Sequence, residues 1–143
     1  MRWSKMRSCF RQKARNANES SLHRTARRPE VLKFGEMPDP VAASGEIVVD
    51  IAAASVNGAD WKVREGKSNQ LSRFPYILGR DFSGVVSAVG EGVRDLGVGD
   101  EVFGVCDVGQ EGAYAEKIAI KAAIVARKTD RLSHLPPRWR LPG

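Results

Sequence analysis

The chain has 143 residues, 42% of them hydrophobic and 28% charged, a size and balance that suit one ordinary folded domain and exclude a fibrous or wholly disordered chain. No apolar run approaches the roughly 18 residues of a membrane helix, and the N-terminus carries no apolar stretch of the kind that opens a secretion signal. The formal net charge of +6 belongs to the ends: residues 1–28 hold nine Lys or Arg and one Glu, whereas residues 29–137 hold 12 basic and 16 acidic residues, so charge makes no case for nucleic-acid binding by the body.

Residues 1–28 are Arg-rich and acid-poor, with Trp3, Met6, Phe10 and Ala14 at helical spacing. Three readings are open: an amphipathic targeting or membrane-surface segment, a nucleic-acid-binding arm, or a disordered tail. The tail is the expectation carried forward. From Pro29 the texture changes. Val31, Leu32 and Phe34 lead into Met37-Pro38-Asp39-Pro40, where proline removes backbone donors and bends the chain. Glu46–Val56 reads as a long strand, Asn57-Gly58 as a turn, and Ala59–Glu65 as a short helix stopped by Gly66. Lys67–Arg73 is polar and reads as a surface loop.

Between Phe74 and Gly104 seven glycines separate short β-branched pieces, which predicts strands joined by tight turns, Val85–Val89 and Glu101–Val105 among them. Gly112–Ile120 and Ala123–Arg127 read as two further strands, and Pro136-Pro137 closes the periodic part. Residues 138–143 are irregular. The fold class is therefore mainly β, a partly open barrel with short helices. Cys9 and Cys106 are far apart, giving neither a disulfide framework nor zinc spacing, and they fit a reducing, cytoplasmic setting. His23 and His134 stand near the ends and read as surface residues.

Four segments in order, PEVLKFGEMPDP, GEIVVDIAAASVNGADWKVREG, FPYILGRDFSGVVSAVGEGVRDLGVGDEVFG and GAYAEKIAI, resemble the catalytic domain of the medium-chain dehydrogenase/reductase superfamily. They are most similar to its zinc-independent quinone oxidoreductase branch. The resemblance covers residues 29–137 and implies a GroES-like β-barrel that packs against a Rossmann domain, with the active site between them. It further implies NADPH as hydride donor and a small quinone, enone or similar electron-poor carbonyl as acceptor. A Rossmann domain is absent from these residues: Gly90-Glu91-Gly92 places its third glycine at Gly97, in a turn-and-strand context rather than at a helix start. The chain is thus expected to be a catalytic-domain fragment, inactive alone. The alternative is a stand-alone GroES-like module for binding or assembly, including association between copies. Neither a nucleic acid nor a membrane is an expected partner.

The resemblance also locates the chemistry. Zinc members carry a Cys near the position of Asn57 and a His-Glu pair near Arg80-Asp81. An arginine cannot ligate a metal, so no metal is expected. Without zinc, hydrogen-bond donors must stabilise developing oxyanion charge, and Asn57 is the leading candidate, against a plain turn role. Asn57, Asp60 and Tyr76 are candidate catalytic residues, Tyr76 as a proton donor. Asp60 could equally stabilise a helix start. Asn57, Trp61, Arg80 and Asp81 are candidate cofactor contacts, with Trp61 stacking on the cofactor or on the barrel. Arg80 and Asp81 either satisfy each other or near neighbours inside the barrel, or border the nicotinamide cleft.

Overall fold

The computed structural model describes residues 17–23, 30, 32–67 and 75–129, with the backbone alone for 17–23. Expectations for Lys67–Arg73 beyond Lys67, for Pro136-Pro137 and for the last six residues lie outside the described residues. In chain order the elements are β1 (Ala17–His23), β2 (Leu32–Pro38), β3 (Glu46–Ala54), α1 (Gly58–Arg64), β4 (Tyr76–Ile77), β5 (Asp81–Val89), β6 (Glu101–Val105), β7 (Lys117–Lys121), a 3-10 turn (Ala122–Ile124) and β8 (Val125–Arg127). They form a three-stranded sheet, β2-β1-β4, and a five-stranded sheet, β7-β3-β5-β6-β8. All the pairings described are antiparallel, as a mainly β, GroES-like architecture requires.

The five-stranded sheet holds the core. β5 alternates, turning Phe82, Gly84 and Val86 inward, and β6 answers with Val102 and Gly104. Ile47 and Val49 from β3 and Ile118 and Ile120 from β7 complete the packed face, and Cys106 is buried just beyond β6. The period of two places one face of each strand inside. On β6 the opposite face, Glu101, Phe103 and Val105, is exposed. The β3–β5 ladder has register shifts at Val48/Val49 and at Ile51/Ala53, irregularities of the kind that twist and bend a sheet toward closure. Gly92 and Gly99 take φ values of +83° and +94°, so the glycines there serve turns.

Several expectations need correction. Ala17–His23 lies inside the segment expected to be a tail, yet it is a strand that pairs with β2 over its whole length and with β4 at Leu22 and His23. Its sequence, ANESSLH, carries little strand signal, and the pairing partner supplies what local propensity does not. β2 runs on to Pro38, which is tolerated because β2 is an edge strand and Pro38 its last residue. The strand expected over Gly112–Ile120 is confined to Lys117–Lys121, because Ala113 N–H and Tyr114 N–H turn aside to Gly79 O and Leu78 O at 3.1 and 2.9 Å. The strand expected over Ala123–Arg127 is in part the 3-10 turn.

Candidate functional site

α1 starts where β3 ends. Asn57 is its N-cap, with extended backbone (φ −112°, ψ 157°), and the Asp60 carboxylate reaches back to accept the Asn57 N–H at 2.7 Å. The other end is a Schellman stop: Gly66 at φ +73° donates to Val63 O at 2.9 Å, and Lys67 donates to Lys62 O at 3.0 Å. Val63 and Asp60 are three apart and both buried, so one helix face anchors on the barrel while carrying a carboxylate inward.

Two polar clusters follow. In the first, Asp81 Oδ2 at the start of β5 accepts the Ser55 hydroxyl and the Asn57 amide, each at 2.7 Å. Asn57 Nδ2 also lies 3.1 Å from Ser55 Oγ. Asp60, 4% exposed, accepts the Tyr114 hydroxyl at 2.7 Å on the same oxygen that holds the Asn57 N–H. In the second cluster, Tyr76 donates its hydroxyl to Glu111, and the Arg80 guanidinium donates to Cys106 O at 3.2 Å. Glu111 Oε2 also accepts Gly109 N–H at 2.9 Å. The segment from Asp107 to Tyr114 therefore serves both clusters, supplying Glu111 to one and Tyr114 to the other.

The sequence candidates are thus divided. Asn57, Asp60 and Asp81 are joined by hydrogen bonds. Arg80 and Asp81 do not satisfy each other, since their side chains go to different partners. Tyr76 stands with Arg80 in the second cluster. Trp61 is 40% exposed, with Lys67 Nζ 4.8 Å and Lys62 Nζ 5.8 Å from its ring centre. Ser55, Glu111 and Tyr114 were not candidates. Their partners are 26, 35 and 54 positions away, and only an account of which buried polar groups need partners would have pointed to them. Among the described residues no group of three or more His, Cys, Asp or Glu is placed to hold a metal ion, and no helix is long and apolar enough to cross a membrane.

Burial raises the Tyr76 phenol, aided by its bond to Glu111, and burial with the bond to Asp60 raises Tyr114. Burial, with Glu111 beside it, pushes the Cys106 thiol up to about 12. Each group keeps its proton in the fold where the unfolded chain has lost it, so unfolding releases protons. Stability conferred by the Cys106 thiol is complete below about pH 9 and falls as pH rises toward 12, by about 1.4 kcal/mol per pH unit, and the two raised phenols add to the loss in the same direction. Urea midpoints measured across that window should fall accordingly. Cys106→Ala should flatten the descent while lowering stability at neutral pH.

A mainly antiparallel barrel with this polar end defines a class. The chain belongs to the alcohol dehydrogenase GroES-like domain family, whose model matches residues 43–130, and lies in the quinone-oxidoreductase-like branch of the medium-chain dehydrogenase/reductases. It is 35% identical over 117 residues to the Caenorhabditis elegans protein named Reticulon-4-interacting protein 1, mitochondrial, covering 71% of this chain and 32% of the relative. It is 36% identical over 89 residues to the quinone oxidoreductase of Sus scrofa, covering 62% of this chain and 26% of the relative. Among solved structures, the quinone oxidoreductase of Coxiella burnetii superposes with a TM-score of 0.78 at 29% identity, over 83% of this chain and 39% of that one. An NAD-dependent alcohol dehydrogenase superposes with a TM-score of 0.76 at 30% identity, over 81% and 41%. The chain spans about a third or less of the length of these curated relatives.

Proposed function

We propose that these residues form the substrate-side half of an NADPH-dependent reductase acting on quinones, enones or similar electron-poor carbonyl compounds. The Ser55–Asn57–Asp81 cluster, set where β3 gives way to α1 and β5 begins, is the observation that carries this reading. It provides fixed, neutral and charged hydrogen-bonding groups without a metal-binding set among the described residues. The nicotinamide would supply the hydride. The chain's own residues would orient the acceptor and exclude water: Asn57 and Asp60 at the helix start, Arg80 and Asp81 at the start of β5, and Trp61 on the outer face of α1. Tyr76 remains protonated near neutral pH and holds a proton within reach of Glu111. The described residues fit only the nicotinamide end, since their sheets are antiparallel and carry no glycine-rich strand-to-helix turn for the phosphates. By themselves the 143 residues should therefore neither bind NADPH at micromolar affinity nor reduce a quinone.

The test is a chimera that joins this chain to the Rossmann domain of a quinone oxidoreductase. The chimera should oxidise NADPH with a quinone as acceptor, and Asn57→Ala should lower kcat/KM about 100-fold. A folded, NADPH-binding chimera that reduces neither quinone nor enone would sink the proposal. A second reading, a module that associates through its surface, is favoured by the exposed Phe103 and Val105. A strictly monomeric chain in sedimentation would count against it.

A further inference from the structure

Arg80 carries a charge that the described fold leaves unanswered. A guanidinium offers five N–H donors and accepts nothing. One of Arg80's amino groups donates to Cys106 O at 3.2 Å. Its Nε–H is sealed from solvent without a partner, and Arg80 joins no ion pair among the described residues. Two carboxylates share its surroundings: burial and Glu111 raise the Cys106 thiol, the Arg80 charge acts against them, and Asp81 adds to the rise. Both acids are held to other donors. Asp81 Oδ2 accepts the Ser55 hydroxyl and the Asn57 amide. Glu111 Oε2 accepts the Tyr76 hydroxyl and the Gly109 N–H. Cations taken out of water are normally paired, so a part-exposed guanidinium whose neighbouring acids are engaged elsewhere is set to meet an anion from outside. The same neighbours limit that anion's charge. A phosphate dianion would face Glu111 and Asp81 with two like charges, whereas one anionic oxygen on an otherwise neutral molecule meets the least repulsion. The Tyr76 phenol and the Cys106 thiol keep their protons near neutral pH and suit an uncharged skeleton behind that oxygen.

We propose that Arg80 receives a singly charged anionic oxygen of the acceptor, the enolate or hydroquinone monoanion left when hydride adds. Hydride brings two electrons to the electron-poor compound, the displaced π-electron pair settles on oxygen, and a proton from water later completes the product. Arg80 holds that oxygen in the interval through its free N–H donors. The sequence pointed to Asn57 for this task, but Asn57 gives an amide hydrogen to Asp81 and carries no charge. The source of the oxygen rests on the proposed function, whereas the open guanidinium does not depend on it.

The experiment uses the full chain, ¹⁵N-labelled, with the Arg80 Nε–H resonance assigned by its disappearance in Arg80→Lys. The probe is para-nitrophenolate, a stable ring with one anionic oxygen, kept above its own pKa. It should shift the Arg80 resonance along a saturating curve. Para-nitroanisole, the same ring with a methoxy group in place of the charged oxygen, should not, and inorganic phosphate should bind at least about tenfold more weakly. Followed through the phenolate's own absorption band, Arg80→Gln should weaken binding about tenfold or more, and Arg80→Lys should keep part of it. The ranking of the three probes on the wild-type chain stands even where a variant fails to fold. A phenolate that leaves the resonance unmoved overturns the proposal, as does an equal response to the methoxy ring, a phosphate response as strong, or unchanged binding by folded Arg80→Gln. In the chimera described above, Arg80→Gln should lower kcat far more than it alters KM. A chimera that fails to turn over while the chain still selects the phenolate through Arg80 defeats the functional reading and leaves the anion site standing.

Discussion

Gly84→Ala should remove about 3 kcal/mol or more of stability. A Cβ at that position would stand 2.1 Å from Asp50 O, 2.8 Å from Val49 Cγ1 and 2.9 Å from Asp50 C. Two of those atoms are backbone of β3, which cannot swing aside as a side-chain tip could. Gly84 pairs with Ile51 on one side and Val102 on the other, so relief would mean opening the β3–β5 ladder beside the buried core. Gly99→Ala is the informative control. Nothing lies within 4 Å of its Cβ position, and only its φ of +94° is unfavourable, which should cost about 1–2 kcal/mol. Urea unfolding of the two variants separates close approach from backbone strain, and equal losses would show that the tight contact at Gly84 is absorbed elsewhere.

Asp60→Ala should cost about 2–4 kcal/mol, because one buried carboxylate oxygen holds both the Asn57 N–H and the Tyr114 hydroxyl. Removing it uncaps α1 and strands a phenol that packs against Gly79. Asp60→Asn should be milder, since one amide oxygen can still serve both donors. Tyr114→Phe should lose less than Asp60→Ala, and combining the two should lose less than their sum, as expected for groups sharing one bond. Additive losses in that cycle, read from urea midpoints, would show that the Tyr114–Asp60 bond contributes nothing in solution.

The parts of this fold legible in the sequence are those set by local chemistry. Glu101–Val105 is a strand with the predicted limits, and β5 contains the whole of Val85–Val89. α1 starts and stops within a residue of where Asn57 and Gly66 place it, because its caps are built from neighbouring residues. The misses are non-local. ANESSLH becomes β1 only because β2 and β4 offer it backbone partners. The segment before Lys117 is drawn off its expected strand by carbonyls at Leu78 and Gly79. The candidate site divides in the same way. Asn57, Asp60 and Asp81 were identifiable from motif and resemblance, but the bonds among them, and the presence of Ser55, Glu111 and Tyr114, depend on contacts across many positions.

The two faces of β6 have a consequence for how the chain avoids folding wrongly. A slip of one residue against β5 would exchange Val102 and Gly104 for Phe103 and Val105, and both sets are largely apolar, so oil-and-water sorting alone does little to forbid it. Shape does the discriminating. In the native pairing Gly104 lies opposite Phe82, and even a single methyl at Gly104 would come within 2.9 Å of the Phe82 ring. A slipped strand would bring a full side chain to that place, where the ring leaves no room. The vacancy beside one phenylalanine thus rejects the misaligned sheet that the hydrophobic pattern would have tolerated.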